Sequence, residues 1–556
     1  MQFSRVVFGF LLSSAFMTQP AGSQTHESYR ALMTPQVRSD KLPAPQHMPE
    51  YVVDGKLRLR LRDAVLLTLE NNSNVHIQEA QVESEKFAVL NAYQPFDPLL
   101  QSFFDVNRFS FPVNNPFQAA GVSTNAPFNS LTQTAQINYS QTFQTGSNIV
   151  VSLNGSRNST GPGQFFFDPS YNTSLNLQFS QPLLRNRGRF VTRAPLIIAR
   201  RALQQSRASF QAEVSDAILQ TVDQYWAVVQ ARGNLDVERK SLEAADASYQ
   251  HDKRALELGA LPPLDIYRSE AEVASRRVQM IQGEYVLKQA EDTLRLTIGA
   301  NQDQYFRALD LELTEKPEPE GELQNTDAAS ALQQAMARRP EIEAARYALA
   351  NDDTNIRVAH NHLKPDLSLT GSYQINGLGG NQYNLIIDQN TGQVTSQLIS
   401  RGGLGSSFNQ LFGFGFPEYG GRLTLNLPIK NRAAQAEMGS ALVSRHRDLY
   451  SAQQVRERIT LEVANTVHQL EEAKLTLVAG KSALDLAQKE VAAEQRKYDL
   501  GEKTIFFVLE AQTKLAQAQL GLLEAEIRYQ IARSAVDHAT GGLLQPFEVQ
   551  IAELSR

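Results

Sequence analysis

Two hydrophobic rhythms divide the chain. From Tyr171 to Leu184, "YNTSLNLQFSQPLL", every second residue is apolar or methyl-bearing: Tyr171, Thr173, Leu175, Leu177 and Phe179. The residues between them, Asn172, Ser174, Asn176, Gln178 and Ser180, are polar and uncharged. A period of two marks a strand with one oily and one wet face. It recurs where Ala135, Ile137, Tyr139 and Phe143 oppose Gln136, Asn138, Ser140 and Thr142, and where Ile149, Val151 and Leu153 oppose Asn148, Ser152 and Asn154. In the second half, Leu367, Leu369, Tyr373 and Ile375 oppose Ser368, Thr370, Ser372 and Gln374. Tyr419, Leu423, Leu425 and Leu427 oppose Arg422, Thr424 and Asn426. "LQSFFDVNRFSF" after Leu99 is strand-like but mixed on both faces.

The other rhythm is helical. It runs from Asp63 to Tyr93 and stops at Pro95 and Pro98, which cannot continue a helix. A stretch of about 69 residues from Arg189 to Glu257 has no proline after Pro195 and predicts one helix roughly 100 Å long. A second helix spans Leu264 to Ile298 and stops at Gly299. A linker with "EKPEPEGE" at Glu315 to Glu322 follows. The programme then repeats: helix from Ala328 to His362, break at Pro365, strand, Gly-rich loop to Pro417, strand, long helix from Arg432 to Asp499, break at "LGEK", helix from Thr504 to Thr540. A shift of about 267 lays Val65 on Leu332, Val75 on Ile342 and Pro98 on Pro365. A shift of about 242 lays Leu258-Gly259 on Leu500-Gly501 and Gly299 on Gly541. In each unit the two shorter helices together match the long one, which predicts two half-length helices stacked end to end beside it. Three seams keep 3-4 spacing, as coiled coils do: Leu470, Ala473, Leu477, Gly480, Leu484, Ala487 and Val491; Val508 through Ala511, Leu515, Ala518, Leu522, Ala525 and Tyr529 to Ala532; and Tyr267, Ala271, Ala274, Val278, Ile281 and Tyr285.

Composition narrows the class. A net charge of −6 and the lack of a dense Lys/Arg cluster argue against nucleic-acid binding. With no cysteine there are no disulfides, thiolate metal sites or thiol nucleophiles. Residues 1–23 read as a cleaved export signal: Arg5, a short apolar run from Val6 to Met17, then small residues from Ala21 to Ser23. That run is too short to span a bilayer, which takes about 20 apolar residues. The segment 24–56 reads as an N-terminal periplasmic arm, whose Pro-rich polar part from Gln24 to Glu50 lacks an apolar period and is expected to be irregular.

In this tandem order the chain resembles the TolC family of outer-membrane channel proteins over about Leu57 to Leu544. The resemblance rests on the order of helix, strands, long helix and helix, on "SQPLLRNRG" from Ser180 and "NLPIKNR" from Asn426 at the strand-to-helix junctions, and on the turns "LELGALPPLDIYRSEAEV" from Leu256 and "YDLGEKTIFFVLEAQTKLAQAQ" from Tyr498. It implies an α+β membrane protein: a homotrimer whose outer-membrane β-barrel continues as a long periplasmic α-helical coiled-coil barrel, built from a tandem internal repeat. The expected divisions are repeat unit one at 57–300, a linker at 301–326, repeat unit two at 327–543 and a tail at 544–556. The implied function is passive export through the exit duct of a tripartite efflux pump or type I secretion system. Its partners would be a periplasmic adaptor, an inner-membrane transporter and outer-membrane lipid; the pump would choose the cargo. A spanning strand shows apolar groups to lipid and polar groups to a watery lumen, which fits the alternation above. Family members usually carry two strands per unit, whereas unit one here has four strand-like stretches. That number fits three arrangements equally: an external hairpin, extension of other strands, or a larger barrel.

No catalytic set is visible, and no cofactor is implied. His360 and His362 sit two apart on different sides of a helix, a poor metal clamp. "GFGFPEYGG" from Gly413 lacks the Lys-Ser/Thr of a phosphate loop and reads as an external loop. In the family the periplasmic tip closes through polar links and acidic rings. Carried over by position, Asp265, Tyr498 and Lys503 match the linking residues, Glu510 matches a ring carboxylate, and Phe507 stands where another carboxylate is usual. Solvated charges at a helix turn account equally well for any one of these. A competing function is a non-transport trimeric coiled-coil tether or surface fibre; trimers that conduct ions would exclude it.

Overall fold

The computed structural model describes residues 45–112, 127–160, 165–258, 264, 266–319, 321–387, 394–500, 502–503 and 505–549. The export signal, most of the arm, Asp265 and the last residues of the tail lie outside them. Among the described residues, no helix is long and apolar enough to cross a membrane.

The first helix of each half is split at corresponding places. Helix α1 (Leu61–Asn71) passes through Asn72, whose side chain caps α2 (Ser73–Asn91) by accepting from the Asn74 amide at 2.8 Å. In the second half α5 (Ala328–Arg338) gives way at Arg339 to α6 (Pro340–His362), with Pro340 opening the new helix. The long helices are α3 (Ala194–Glu257, 64 residues) and α8 (Arg432–Asp499, 68 residues). Gly188 and the short turn Arg189–Thr192 delay α3 to Ala194, five residues past its expected start. The return helices are α4 (Ile266–Thr297) and α9 (Ile505–Ala539). Helix α3 carries α1 and α2 along one half and α4 along the other; α8 likewise carries α5 and α6, then α9.

Each return helix ends on a glycine in the left-handed region, Gly299 at φ 79° and Gly541 at φ 74°. Both glycines abut the end of the first half-helix. A Cβ on Gly299 would lie 2.5 Å from the Asn71 Cβ, and one on Gly541 would lie 3.1 Å from the Arg338 Cβ. Gly299→Val is therefore expected to destabilise by about 1–3 kcal/mol through backbone strain alone, with the clash added. Gly541→Val is expected to cost less. Thermal unfolding of the detergent-solubilised protein checks both.

A core gathers where these ends meet. Val52–Val53 (β1), Lys56–Leu59 (β2) and Asp310–Leu313 (β7) make a small sheet, β2 and β7 being parallel. The end of the arm is thus ordered: past the part expected to be irregular, of which Met48–Tyr51 forms a short 3-10 turn, the chain enters this sheet. Leu57 and Leu59 alternate with Lys56 and Arg58, and both leucines are fully buried among Val65, Leu67, Ile218 and Ile298. The Tyr225 hydroxyl donates to the Leu59 carbonyl and accepts from the Glu315 amide, each at 3.2 Å. Burial pushes that phenol up to about 12, so it stays neutral and serves both bonds.

The second sheet contains every long strand. Its order is β10-β8-β6-β5-β4-β3, all neighbours antiparallel. The strands are β3 (Leu99–Phe111), β4 (Phe128–Thr142), β5 (Asn148–Ser159), β6 (Phe167–Pro182), β8 (Asp366–Ile387) and β10 (Phe416–Asn426). Unit one supplies four of them in one unbroken ladder. The far end of β8 also pairs with β9 (Val394–Ser400). The stretch expected to be loop up to Pro417 contains β9 and a helix, α7 (Leu404–Phe412), and Phe416–Gly421 are strand residues of β10. Helix α7 lies on the apolar face of the sheet, where Gly377 and Gly379 leave room: a Cβ on Gly377 would come within 2.0 Å of the Ser407 carbonyl oxygen. The Thr173 hydroxyl donates to that carbonyl at 3.2 Å.

Candidate functional site

The sheet sorts its side chains by solvent. Register carries one row across all six strands: Leu100, Tyr139, Val151, Leu177, Tyr373 and Tyr419. The adjacent row points to the other face and is polar throughout: Gln101, Asn138, Ser152, Asn176, Gln374 and Glu418. Away from the patch that α7 covers, where Ile375 and Thr173 are buried, the oily face is open to the surroundings, with Leu177 41%, Phe179 46% and Leu423 64% exposed. Amides and hydroxyls on the wet face bond to one another. Gln136 donates to Asn138 at 2.7 Å, Gln374 to Asn376 at 2.7 Å, and Asn154 to the Ser174 hydroxyl at 3.2 Å. An exposed apolar band backed by a polar face suits a wall between hydrocarbon and water.

The helices form a single layer in two storeys. Nearer the sheet the lateral order is α2, α3, α6, α8; nearer the far turns it is α4, α3, α9, α8. Arg201 joins α3 to α6 through the Thr354 hydroxyl at 2.7 Å, and Arg445 joins α8 to α6 through Asp353 at 2.8 Å. A buried ionic knot ties the halves together. His538 contacts Asp216 at 2.7 Å and Glu462 at 3.3 Å, and Arg339 contacts Glu462 at 3.0 Å. Burial alone would lower the His538 pKa; hydrogen bonds to Asp216 and Glu462 outweigh it and raise the value above 6.5. The imidazolium therefore contributes stability that is complete below 6.5 and lost as pH rises through the raised value. His538→Leu leaves the Arg339 charge paired with Glu462 and Glu341 but strips Asp216 of its partner. The variant is expected to lose the neutral-to-alkaline step in a plot of thermal midpoint against pH.

Two of the three seams seen in the sequence meet each other. Leu470, Ala473 and Leu477 of α8 bury against Ala525, Tyr529, Ala532 and Val536 of α9. The third finds no cover among the described residues: on α4, Tyr267, Val278, Ile281 and Tyr285 are exposed. At the opposite side of the layer, α8 exposes Leu461, Leu475, Val478 and Leu486. Those two stripes mark the lateral ends of the helical layer.

The far turns hold the remaining candidates. Tyr498 packs edge-on against the His251 ring, 6.1 Å between centroids. Lys503 reaches back across its own turn to Glu494 at 2.8 Å and lies over the Phe507 ring at 4.3 Å. Phe507 packs edge-on against Phe506, which takes Arg268 on its face. Glu510 is paired with Lys514 at 3.3 Å, and Lys514 also meets Glu490 at 3.0 Å. Asp265, the expected partner of Tyr498 and Lys503, lies outside the described residues. Glu494 was not foreseen from the sequence. Its link to Lys497 is ordinary helical spacing, but its link to Lys503 exists only once the chain reverses. Hydrogen bonds from Lys497 and then Lys503 hold the Glu494 carboxyl below 4.5. Of the two histidines, His362 pairs with Glu437 at 3.0 Å. Among the described residues no cluster of three His, Cys, Asp or Glu is placed to hold a metal.

The sequence profile described as "Outer membrane efflux protein" matches residues 146–300 and 331–542, well over half of the chain. The chain belongs to the outer membrane efflux protein family. Outer membrane efflux protein BepC of Brucella suis biovar 1 (strain 1330) is 22% identical over 371 residues, covering 66% of this chain and 72% of that protein. Outer membrane protein TolC of Escherichia coli (strain K12) is 24% identical over 384 residues, covering 67% and 70%. Among solved structures, the Campylobacter jejuni CmeC outer membrane channel superposes with a TM-score of 0.62 at 16% identity, covering 94% and 93%. The outer membrane protein VceC from Vibrio cholerae gives 0.58 at 14% identity, covering 90% and 99%. The fold is that of these TolC-like channels, and membership places the protein in the outer membrane as an efflux duct.

Proposed function

We propose that three copies close side by side into one passive conduit, a β-barrel through the outer membrane continued by a helical barrel in the periplasm. The conduit receives cargo from a periplasmic adaptor and an inner-membrane transporter, as in a tripartite efflux pump or type I secretion system. The observation that carries this reading is the pair of open lateral edges. In both helical storeys and in the sheet, a unit-one element ends one side (α4, α2 and β3) and a unit-two element ends the other (α8, α8 and β10). Joining one side to the other covers both exposed seams and both strand edges at once. Detergent-extracted protein is expected to have the mass of a trimer and to conduct ions in a planar bilayer. Trimers without conductance would favour the tether.

The gate belongs at the far turns. Three Phe507 rings would narrow the bore and three Glu510 carboxylates would ring it, with Tyr498, Lys503 and Asp265 as the latch. The Lys503–Glu494 bridge supports a second anchor for the same lysine. A carboxyl held below 4.5 contributes stability above 4.5 and loses it as pH falls through its lowered value. Conductance is therefore expected to step up only in acid. Glu494→Gln abolishes the step, and Lys503→Ala with Asp265→Ala raises conductance already at neutral pH. Unchanged traces for both variants would remove the latch.

A further inference from the structure

We infer that the assembled barrel has eighteen strands rather than twelve, because each protomer contributes β3 and β4 to the wall and closes the ring by pairing its β3 with the β10 of the next copy. The inference rests on the trimeric duct proposed above and fixes the width of its membrane part.

Four observations lead there. First, β3 and β4 are not an appendage. They continue the ladder of β5 without a break, paired from Leu131–Ser159 to Thr142–Asn148 and from Leu99–Ser140 to Phe111–Phe128. Second, the solvent sorting runs through β4 and reaches the start of β3, although Phe103, Phe109 and Phe111 further along β3 share the face of Gln101. Leu100 and Tyr139 end the oily row, Gln101 and Asn138 end the wet one, and Phe104 and Ala135 extend the oily face by a further row. Third, the two free edges are compatible. Strand β3 leaves the helical end and β10 returns to it, so β10 of one copy meets β3 of the next antiparallel, as every other neighbour does. The edges are of similar length, 13 and 11 residues, and β3 is exposed throughout. Fourth, the family profile begins at residue 146, between β4 and β5, so this pair lies outside the part that matches.

The alternative, a twelve-strand ring with β3 and β4 set outside, would need β10 of the neighbour to pair with β5. That would strip β4 of its ladder and leave backbone amides and carbonyls without partners in hydrocarbon, the arrangement lipid tolerates least. Strands are 4.7–4.9 Å apart and tilt by about 40° in such barrels, so eighteen make a ring roughly 36 Å across and twelve roughly 24 Å. The cross-section roughly doubles. The wider ring admits bulkier cargo at the membrane level, leaving the Phe507 turns as the narrowest part of the path.

The natural absence of cysteine makes the test direct. One set of variants combines Gln101→Cys on β3 with a single cysteine at Glu418, Arg422 or Thr424 on β10. The second set replaces Gln101→Cys by Ser152→Cys on β5. Proteins oxidised in outer membranes are run on denaturing gels, and the native mass is measured in detergent. Dimer and trimer ladders from the β3 set alone are expected, with eighteen strands in an electron-microscopy map of the trimer. Ladders from the β5 set, or a trimer map with twelve strands, would overturn the inference while leaving the trimer intact. A monomeric mass would overturn both.

Discussion

Arginine in place of Leu177 is expected to abolish stable insertion, at a cost of about 2–4 kcal/mol near the middle of the bilayer. Leu177 stands within the oily face, flanked along the strand by Leu175 and Phe179 and across it by Val151 and Tyr373. None of these four neighbours carries a carboxylate to pair a cation. In a trimer the penalty applies three times. The trimer mass of detergent-extracted outer-membrane fractions is the readout, and it should vanish. Arginine at Gln178, one residue on, faces the wet side among Val150 and Ser372. It should leave the oligomer intact and shift only ion selectivity. Equal effects at 177 and 178 would contradict the assignment of faces.

Aspartate at Val278 and at Leu475 is expected to yield folded monomers. Both side chains are exposed in the single chain, 54% and 71% respectively, so neither substitution disturbs the protomer's own core. In the closed ring each apolar side chain so covered contributes about 1.5–3 kcal/mol, and the substitutions would place like charges in one seam at all three junctions. Helical content by circular dichroism should be unchanged while the mass falls to that of one chain. The exposed pair Lys489 and Asp485 on the same helix provides a control, because removing a surface ion pair changes stability little.

What could be read from the sequence followed the physics of periodicity. Wherever a single face decides burial, the pattern sufficed: the paired seams of Leu477 and Tyr529, the alternation around Leu177, the turns at Leu258 and Leu500 and the stops at Gly299 and Gly541. The misses are places where structure depends on a remote partner. Leu57 and Leu59 open unit one without any strand expected there, because the strand Asp310–Leu313 that pairs with them lies far along the chain. The interruption at Asn72 was not legible, since asparagine is not a strong breaker; the one at Arg339 was signalled by Pro340 but masked because the helical rhythm continues on both sides. Asn72 does its capping with a side chain that helices also tolerate. Helix α7 was hidden within a Gly-rich run; what makes it possible is the space over Gly377 and Gly379 on another strand. At the tip, Lys503, Phe507 and Glu510 were singled out by position in the resemblance, whereas Glu494 emerged only from the reversal of the chain that brings it to Lys503.

The claim beneath the whole account is that alternate residues of one strand meet different solvents. Single cysteines placed from Asn172 to Ser180 in this naturally cysteine-free chain, spin-labelled and reconstituted in lipid vesicles, test it most directly. Oxygen, which partitions into hydrocarbon, should quench positions 175, 177 and 179, and a water-soluble nickel chelate should quench 174, 176 and 178. A period of two with the reagents in opposite phase is the predicted result. Water-soluble quenching of uniform strength along the strand would contradict it.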